Sequence, residues 1–180
     1  MNDADAPDSR TAISPRELNI LLVSHPSGPC WSGNFYLGSM FVLDFGDRLL
    51  VHRPRGPVYQ GTTSLGIRDC YWEMLRGIDI AISAEIVDRE AFNNIVTPMM
   101  RGQQINQIEP DAREGFVRVS FSNDIAIDLD ITNRWDADGA IAEIGLSNGA
   151  YVAILPSGQL QISKDRDLLR LHEHERRSHQ

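Results

Sequence analysis

Alternating apolar residues broken by a short polar turn occur twice in this chain, and the recurrence constrains the fold more than any single motif. Phe116 to Ile131 reads FVRVSFSNDIAIDLDI. Apolar side chains fall on every second residue, Ser122, Asn123 and Asp124 interrupt them, and the alternation then resumes, as a β-hairpin requires. Tyr151 to Ser163 reads YVAILPSGQLQIS and turns at Pro156, Ser157 and Gly158. Met40 to Val51, MFVLDFGDRLLV, matches the first pattern: Phe45 stands 76 residues before Phe121, with Gly46 and Asp47 at the turn. Tyr71 to Ser83, YWEMLRGIDIAIS, lies 80 residues ahead of YVAILPSGQLQIS and aligns Tyr71 with Tyr151, Leu75 with Leu155 and Ile82 with Ile162. Two hairpins in the same order at nearly the same spacing predict an internal duplication.

The expected fold class is α+β, mostly antiparallel β, with two hairpin-rich repeats joined by a short helical segment to form one domain. Residues 1–15, polar with Pro7 and Pro15, read as a flexible N-terminal arm, and residues 164–180 as a charged C-terminal tail. Between them, 16–163 is one domain: repeat one over about 33–83, the helical connection over 84–101, and repeat two over about 102–163. In the connection, Asp88 is placed to cap a helix whose stripe is Phe92, Ile95 and Val96, with Gly102 as the stop. Arg16 to Ser24 fits a short helix or a first strand. His25 to Gly38 and Arg53 to Gly61 are rich in Pro and Gly and read as loops.

The 180 residues carry a formal net charge of −8, which argues against a direct nucleic-acid binder, because phosphate affinity needs clustered Lys and Arg. No apolar run is long enough to span a membrane, and the acidic start MNDADAPDSR lacks the basic and apolar regions of a signal peptide. Two cysteines, Cys30 and Cys70, fit reduced thiols, so the expected location is cytoplasmic. The charge is uneven. Gly33 to Ser83 holds five acidic and five basic residues, whereas Glu109 to Glu143 holds nine acidic residues against three arginines. Such a field steers a partner of opposite charge; a merely solvated surface explains it too.

Asp128 and Asp130 lie two apart on a predicted strand, so they share a face while Ile127, Leu129 and Ile131 point to the core. A solvated strand face, an acidic contact surface and a metal site all fit that pair. Asp136, Ala137, Asp138 and Gly139 match part of a calcium loop, but Arg134 and Gly145 stand where oxygen ligands are needed, so no metal is expected. Trp135, flanked by those carboxylates, suits either a protein contact or packing under its loop. Cys30 and Cys70 with His25 or His52 lack any spacing that makes a nucleophile and base, and buried structural cysteines are the simpler reading. His172 and His174 fall on different sides of a tail helix. No catalytic residue and no cofactor is expected.

From about Leu37 to Ser163 the order of segments is distinctive: YWEM, a short helix, then Gly102, Ile105 and Ile108 leading into VSFSNDIAI, closed by a tyrosine segment with a Gly turn. This layout resembles small two-repeat β-rich bacterial immunity proteins of polymorphic and contact-dependent growth inhibition toxin systems. The resemblance implies a role: to bind one cognate toxin C-terminal domain, basic and of nuclease type, and block it. Asp128, Asp130, Trp135, Asp136, Asp138 and Glu143 are the expected toxin-binding residues. The alternative is a small enzyme or ligand-binding domain with its site in segments 25–38 and 53–61.

Overall fold

The computed structural model describes residues 10–36, 40–54, 56–68, 70–111, 114–134 and 139–163, with only the backbone for 133 and 134. Most of the expected N-terminal arm, the C-terminal tail with its histidines, and Trp135, Asp136 and Asp138 lie outside that set. The described chain is mostly antiparallel β in two sheets, with a few short helices.

The elements are β1 (Thr11–Ile13), α1 (Pro15–Ser24), β2 (Cys30–Phe35), β3 (Phe41–Arg53), β4 (Gly56–Ile67), β5 (Cys70–Arg76), β6 (Asp79–Ser83), α2 (Arg89–Ala91), a π-helical turn (Phe92–Val96), α3 (Thr97–Met100), β7 (Ile105–Asp111), β8 (Phe116–Phe121), β9 (Ile125–Arg134), β10 (Ala142–Gly145), β11 (Tyr151–Ile154) and β12 (Leu160–Ser163). One sheet has seven strands in the order β1-β12-β11-β10-β4-β3-β2, and the other has five in the order β6-β5-β9-β8-β7. Inward side chains of both sheets form one apolar core. The Phe41 ring meets Trp72 edge-on across it with centroids 5.0 Å apart, and Phe45 stacks on Phe121 at 6.3 Å. Rings in these geometries add attraction beyond the area they bury.

The two sheet orders correspond. β11-β10-β4-β3-β2 can be laid on β6-β5-β9-β8-β7 strand for strand. Each sheet is built on three consecutive strands, β2-β3-β4 or β7-β8-β9, extended beyond the third by strands from the other part of the chain, β10-β11-β12 or β5-β6. The first strand of each trio is bulged at a matching place, after Cys30 opposite Phe45 and after Ile105 opposite Phe121. Each trio also follows a helical segment that packs on the opposite trio: α1 on β7 and α3 on β2.

Several expectations change. Arg16 to Ser24 resolves as helix because Ser14 and Glu17 form a reciprocal cap, with Ser14 N–H donating to Glu17 Oε2 at 2.7 Å and Glu17 N–H to Ser14 Oγ at 3.2 Å. Met40 to Val51 is not a hairpin but part of one long strand. Gly46, at φ 74°, forms a bulge there rather than a turn, and β3 runs on to pair with β4. Its supposed counterpart is a true two-residue turn, with Asn123 at φ 55° and Asp124 at φ 61°. Segments 25–38 and 53–61 are therefore not simply loops: the first contains β2, and the second lies largely in the β3–β4 hairpin. Tyr71 and Tyr151 also fall on non-corresponding strands, β5 beside β9 and β11 outside β10. The helical segment 89–100 is capped by Asp88 as expected, but it stands before β7 as α1 stands before β2.

No helix among the described residues is long and apolar enough to cross a membrane. The outer edge of β7 is closed by one side chain. Asn19 on α1 accepts from Ile108 N–H at 2.9 Å and donates to Ile108 C=O at 3.1 Å, so its amide acts as an extra strand residue. Blocking an open edge in this way prevents pairing with other chains. Asn19→Leu should lower stability by about 1–3 kcal/mol, because it leaves two backbone groups without partners. Amide exchange at Ile108 should rise more than at Val119, and equal protection at Ile108 in the variant would refute the role assigned to Asn19.

Candidate functional site

The five-stranded sheet buries one face and turns the other outward. Trp72, Met74, Val117, Val119, Ile127 and Leu129 are inside. Parity then places Glu73, Arg118, Asp128 and Asp130 outside. Register assembles them into a row, with Glu73 opposite Asp128, Asp128 opposite Arg118, and Arg118 opposite Glu109. A second row sets Asp130 opposite Phe116 and Phe116 opposite Asp111. Among the described residues, five carboxylates and one arginine thus share this face.

Like charges directly opposite on neighbouring strands repel, so Glu73 beside Asp128 needs compensation. Arg118 supplies it with a two-pronged clamp, Nε to Asp128 Oδ1 at 2.7 Å and Nη2 to Oδ2 at 2.6 Å. Its guanidinium also lies 5.3 Å from the Phe116 ring centre. The bond to Asp128 raises the pKa of Arg118 further, and the charges of Asp128 and Glu109 act in the same direction. Other carboxylates are held in place as well. Asp130 Oδ1 accepts from Thr132 N–H at 2.7 Å and Thr132 Oγ1 at 2.6 Å, and Glu73 Oε1 accepts from Tyr71 Oη at 3.0 Å. Burial pushes the Tyr71 phenol up, and Glu73 and Glu85 add to the rise.

The structure brings together two of the six expected contact residues, Asp128 and Asp130. Glu143 stands apart on the outer face of the seven-stranded sheet, between Gly66 and Ala153, where Arg68 pairs with it at 2.6 Å. Glu73, Glu109 and Asp111 are the carboxylates that sequence reading missed. Glu73 lies between buried Trp72 and Met74 and Glu109 follows buried Ile108, so their outward direction was legible, but the neighbours of all three across the sheet depend on strand order.

No three His, Cys, Asp or Glu side chains among the described residues are grouped to hold a metal ion. Both cysteines are buried. Burial raises the Cys30 thiol to about 12, and the nearby Asp44 carboxylate adds to the rise. A thiol so held stays protonated at neutral pH and is no nucleophile.

Asp44 lies at the base of the β3–β4 hairpin, 4% exposed, where its Oδ1 accepts from Gly61 N–H at 2.9 Å and its Oδ2 from Asn34 Nδ2 at 3.5 Å. Burial raises its pKa, although the Gly61 bond and the charge of Arg53 oppose the rise. The folded chain therefore holds the Asp44 proton more tightly than the unfolded chain. Its contribution to stability falls as pH rises from the ordinary carboxylate range through the raised value.

Comparison with known proteins returns nothing: no family model, no curated protein and no solved structure matches this chain.

Two outcomes check this description. Asp44→Asn keeps an acceptor for Gly61 N–H, so it should be at least as stable as wild type at pH 7 and lose part of the decline between acid and neutral pH. Asp44→Ala should cost about 1–3 kcal/mol, both variants being read by urea titration across pH. For the clamp, a double-mutant cycle of Arg118→Ala and Asp128→Ala should give a coupling of about 1 kcal/mol, the upper end for exposed pairs. Zero coupling would make the clamp incidental.

Proposed function

We propose that this chain is a cytoplasmic immunity protein that binds a cognate toxin domain and blocks it through the outer face of the five-stranded sheet. The observation that carries the reading is the gathering of Glu73, Glu109, Asp111, Asp128 and Asp130 on that face around Arg118. A nuclease holds phosphates in a basic groove. An array of fixed carboxylates presents the same sign of charge as such a substrate. Carboxylates already held by Tyr71, Thr132 and Arg118 lose little side-chain freedom on contact, which favours binding. Phe116 and Tyr71 sit among them as aromatic contacts. Asp136, Asp138 and Trp135 join the contact in this reading, since they follow β9 directly in the chain.

The two halves of the fold descend, in the same reading, from duplication of one helix-and-five-strand unit whose last two strands were exchanged. The matched bulges and strand orders support it.

The test is co-expression with the product of the neighbouring gene, read by growth and by recovery of a complex. Wild type should restore growth and co-purify. Glu73→Lys with Glu109→Lys changes the face from five carboxylates against one cation to three against three. It should lower the association rate roughly tenfold at low salt with little change in dissociation rate. Added salt should shrink that difference. Unchanged association by the double variant would remove the acidic face from the account, and failure of wild type to protect would remove the toxin.

A further inference from the structure

The β3–β4 hairpin runs past both neighbouring strands. β2 pairs with β3 only from Phe41 to Phe45, and β10 pairs with β4 only from Ser64 to Ile67. Among the described residues, Arg48 to Arg53, beyond the bulge, pair only with Gly56 to Gly61. This ribbon exposes apolar side chains on both faces. Leu50 and Tyr59 are opposite one another on one face, while Leu49, Val51 and Val58 share the other, and Tyr59 is 63% exposed. A two-stranded ribbon with so much exposed apolar surface is marginal by itself and marks a docking element.

Its charge is opposite to that of the chain. From Arg48 to Gly61 there are three arginines and no carboxylate, in a protein of net charge −8. Arg48 is braced at the base with its guanidinium 4.7 Å from the Trp31 ring centre, and Arg53 Nη2 donates to Gln60 Oε1 at 3.4 Å.

A complementary surface exists on the same molecule. β6 is the edge strand of the five-stranded sheet, and the β5–β6 turn exposes Ile78 almost fully, at 93%. Ile80 and Ile86 are also exposed. Asp79 and Glu85 adjoin them in the chain, Asp124 C=O accepts from Gly77 N–H of the turn at 2.8 Å, and Arg76 stands opposite Asp79. Pairing two ribbons would oppose arginines, and pairing two β6 edges would oppose carboxylates. Ribbon against edge brings apolar to apolar and cation to anion.

We propose that the β3–β4 ribbon is a self-recognition element that docks along β6 of a second copy of this chain. Leu50 and Tyr59 cover Ile78 and Ile80, and Arg48, on the same face as Leu50, meets Asp79 and Glu85. In a two-fold dimer the contact is made twice, each ribbon reaching the other copy's edge.

The experiment is sedimentation velocity on the full chain, from low to high micromolar concentration, at low and high salt. Wild type should pass from monomer to dimer as concentration rises, with weaker association at high salt. Leu50→Asp with Tyr59→Asp, and separately Ile78→Asp with Ile80→Asp, should each raise the dimer Kd at least about tenfold while circular dichroism stays unchanged. The substituted side chains are all exposed, so folding is spared, and Tyr59→Ser with Ile78→Ser offers milder replacements. Mixing the ribbon variant with the edge variant should recover a heterodimer with one intact contact. A wild type that stays monomeric overturns the proposal and leaves the ribbon for a different acidic protein. Edge variants that dimerise like wild type overturn it as well. Neither result touches the acidic-face reading, which is judged by protection from the toxin.

Discussion

Glu73 stands beside Asp128 because β5 pairs with β9, and much of the rest follows from that pairing. β5 is distant in sequence from β9 and reaches it only after leaving the seven-stranded sheet at the end of β4. The pairing sets Trp72 opposite Leu129 and Met74 opposite Ile127 on the buried side. Trp72 then meets Phe41 of the other sheet. Burial of these side chains, each worth about 2–3 kcal/mol, outweighs the cost of opposing two carboxylates on the outer side. Arg118 lowers that cost. The outer face is thus a consequence of the core: its charges are held at fixed spacing by apolar packing a few ångströms beneath them.

The fold controls its open edges unevenly. β7 is closed by Asn19, and β2 by backbone bonds from Cys30 N–H to Gln103 C=O at 2.7 Å and from Gly102 N–H to Cys30 C=O at 2.8 Å. Among the described residues β6 has no such closing bond on its outer side, and it carries the exposed Ile80 while α1 packs on β7 and α3 on β2. Natural sheets usually mask such an edge. An apolar edge flanked by carboxylates and an apolar ribbon that carries arginines are the physical motive for assigning the two to each other.

Much of the architecture was legible in the sequence because period-two alternation is a local signal. β5, β6, β8, β9, β11 and β12 all lie where alternation placed them, and Asp88 caps its helix. Alternation could not say whether Gly46 and Asp47 turn the chain or bulge it. Both outcomes need a permissive glycine, and the choice was made by the partner strand, β4, which continues the pairing out to Gly56. The same ambiguity hid the ribbon among Pro and Gly residues that looked like a loop. Asp128 and Asp130 were placed together by parity alone. Glu73, Glu109 and Asp111 joined them through strand order, a long-range property that no local window contains. Glu143 was grouped with them by its nearness in sequence, and a β-chain that crosses between sheets makes such nearness a poor guide.

The claim at the centre of this account is that a partner covers the outer face of the five-stranded sheet. Carbodiimide labelling of carboxylates, read residue by residue by mass spectrometry with and without the neighbouring gene product bound, tests it most directly. Glu73, Glu109 and Asp111 should lose most of their labelling in the complex, while Glu143, on the other sheet, keeps its own. Equal labelling of the first three in free and bound protein would contradict the account.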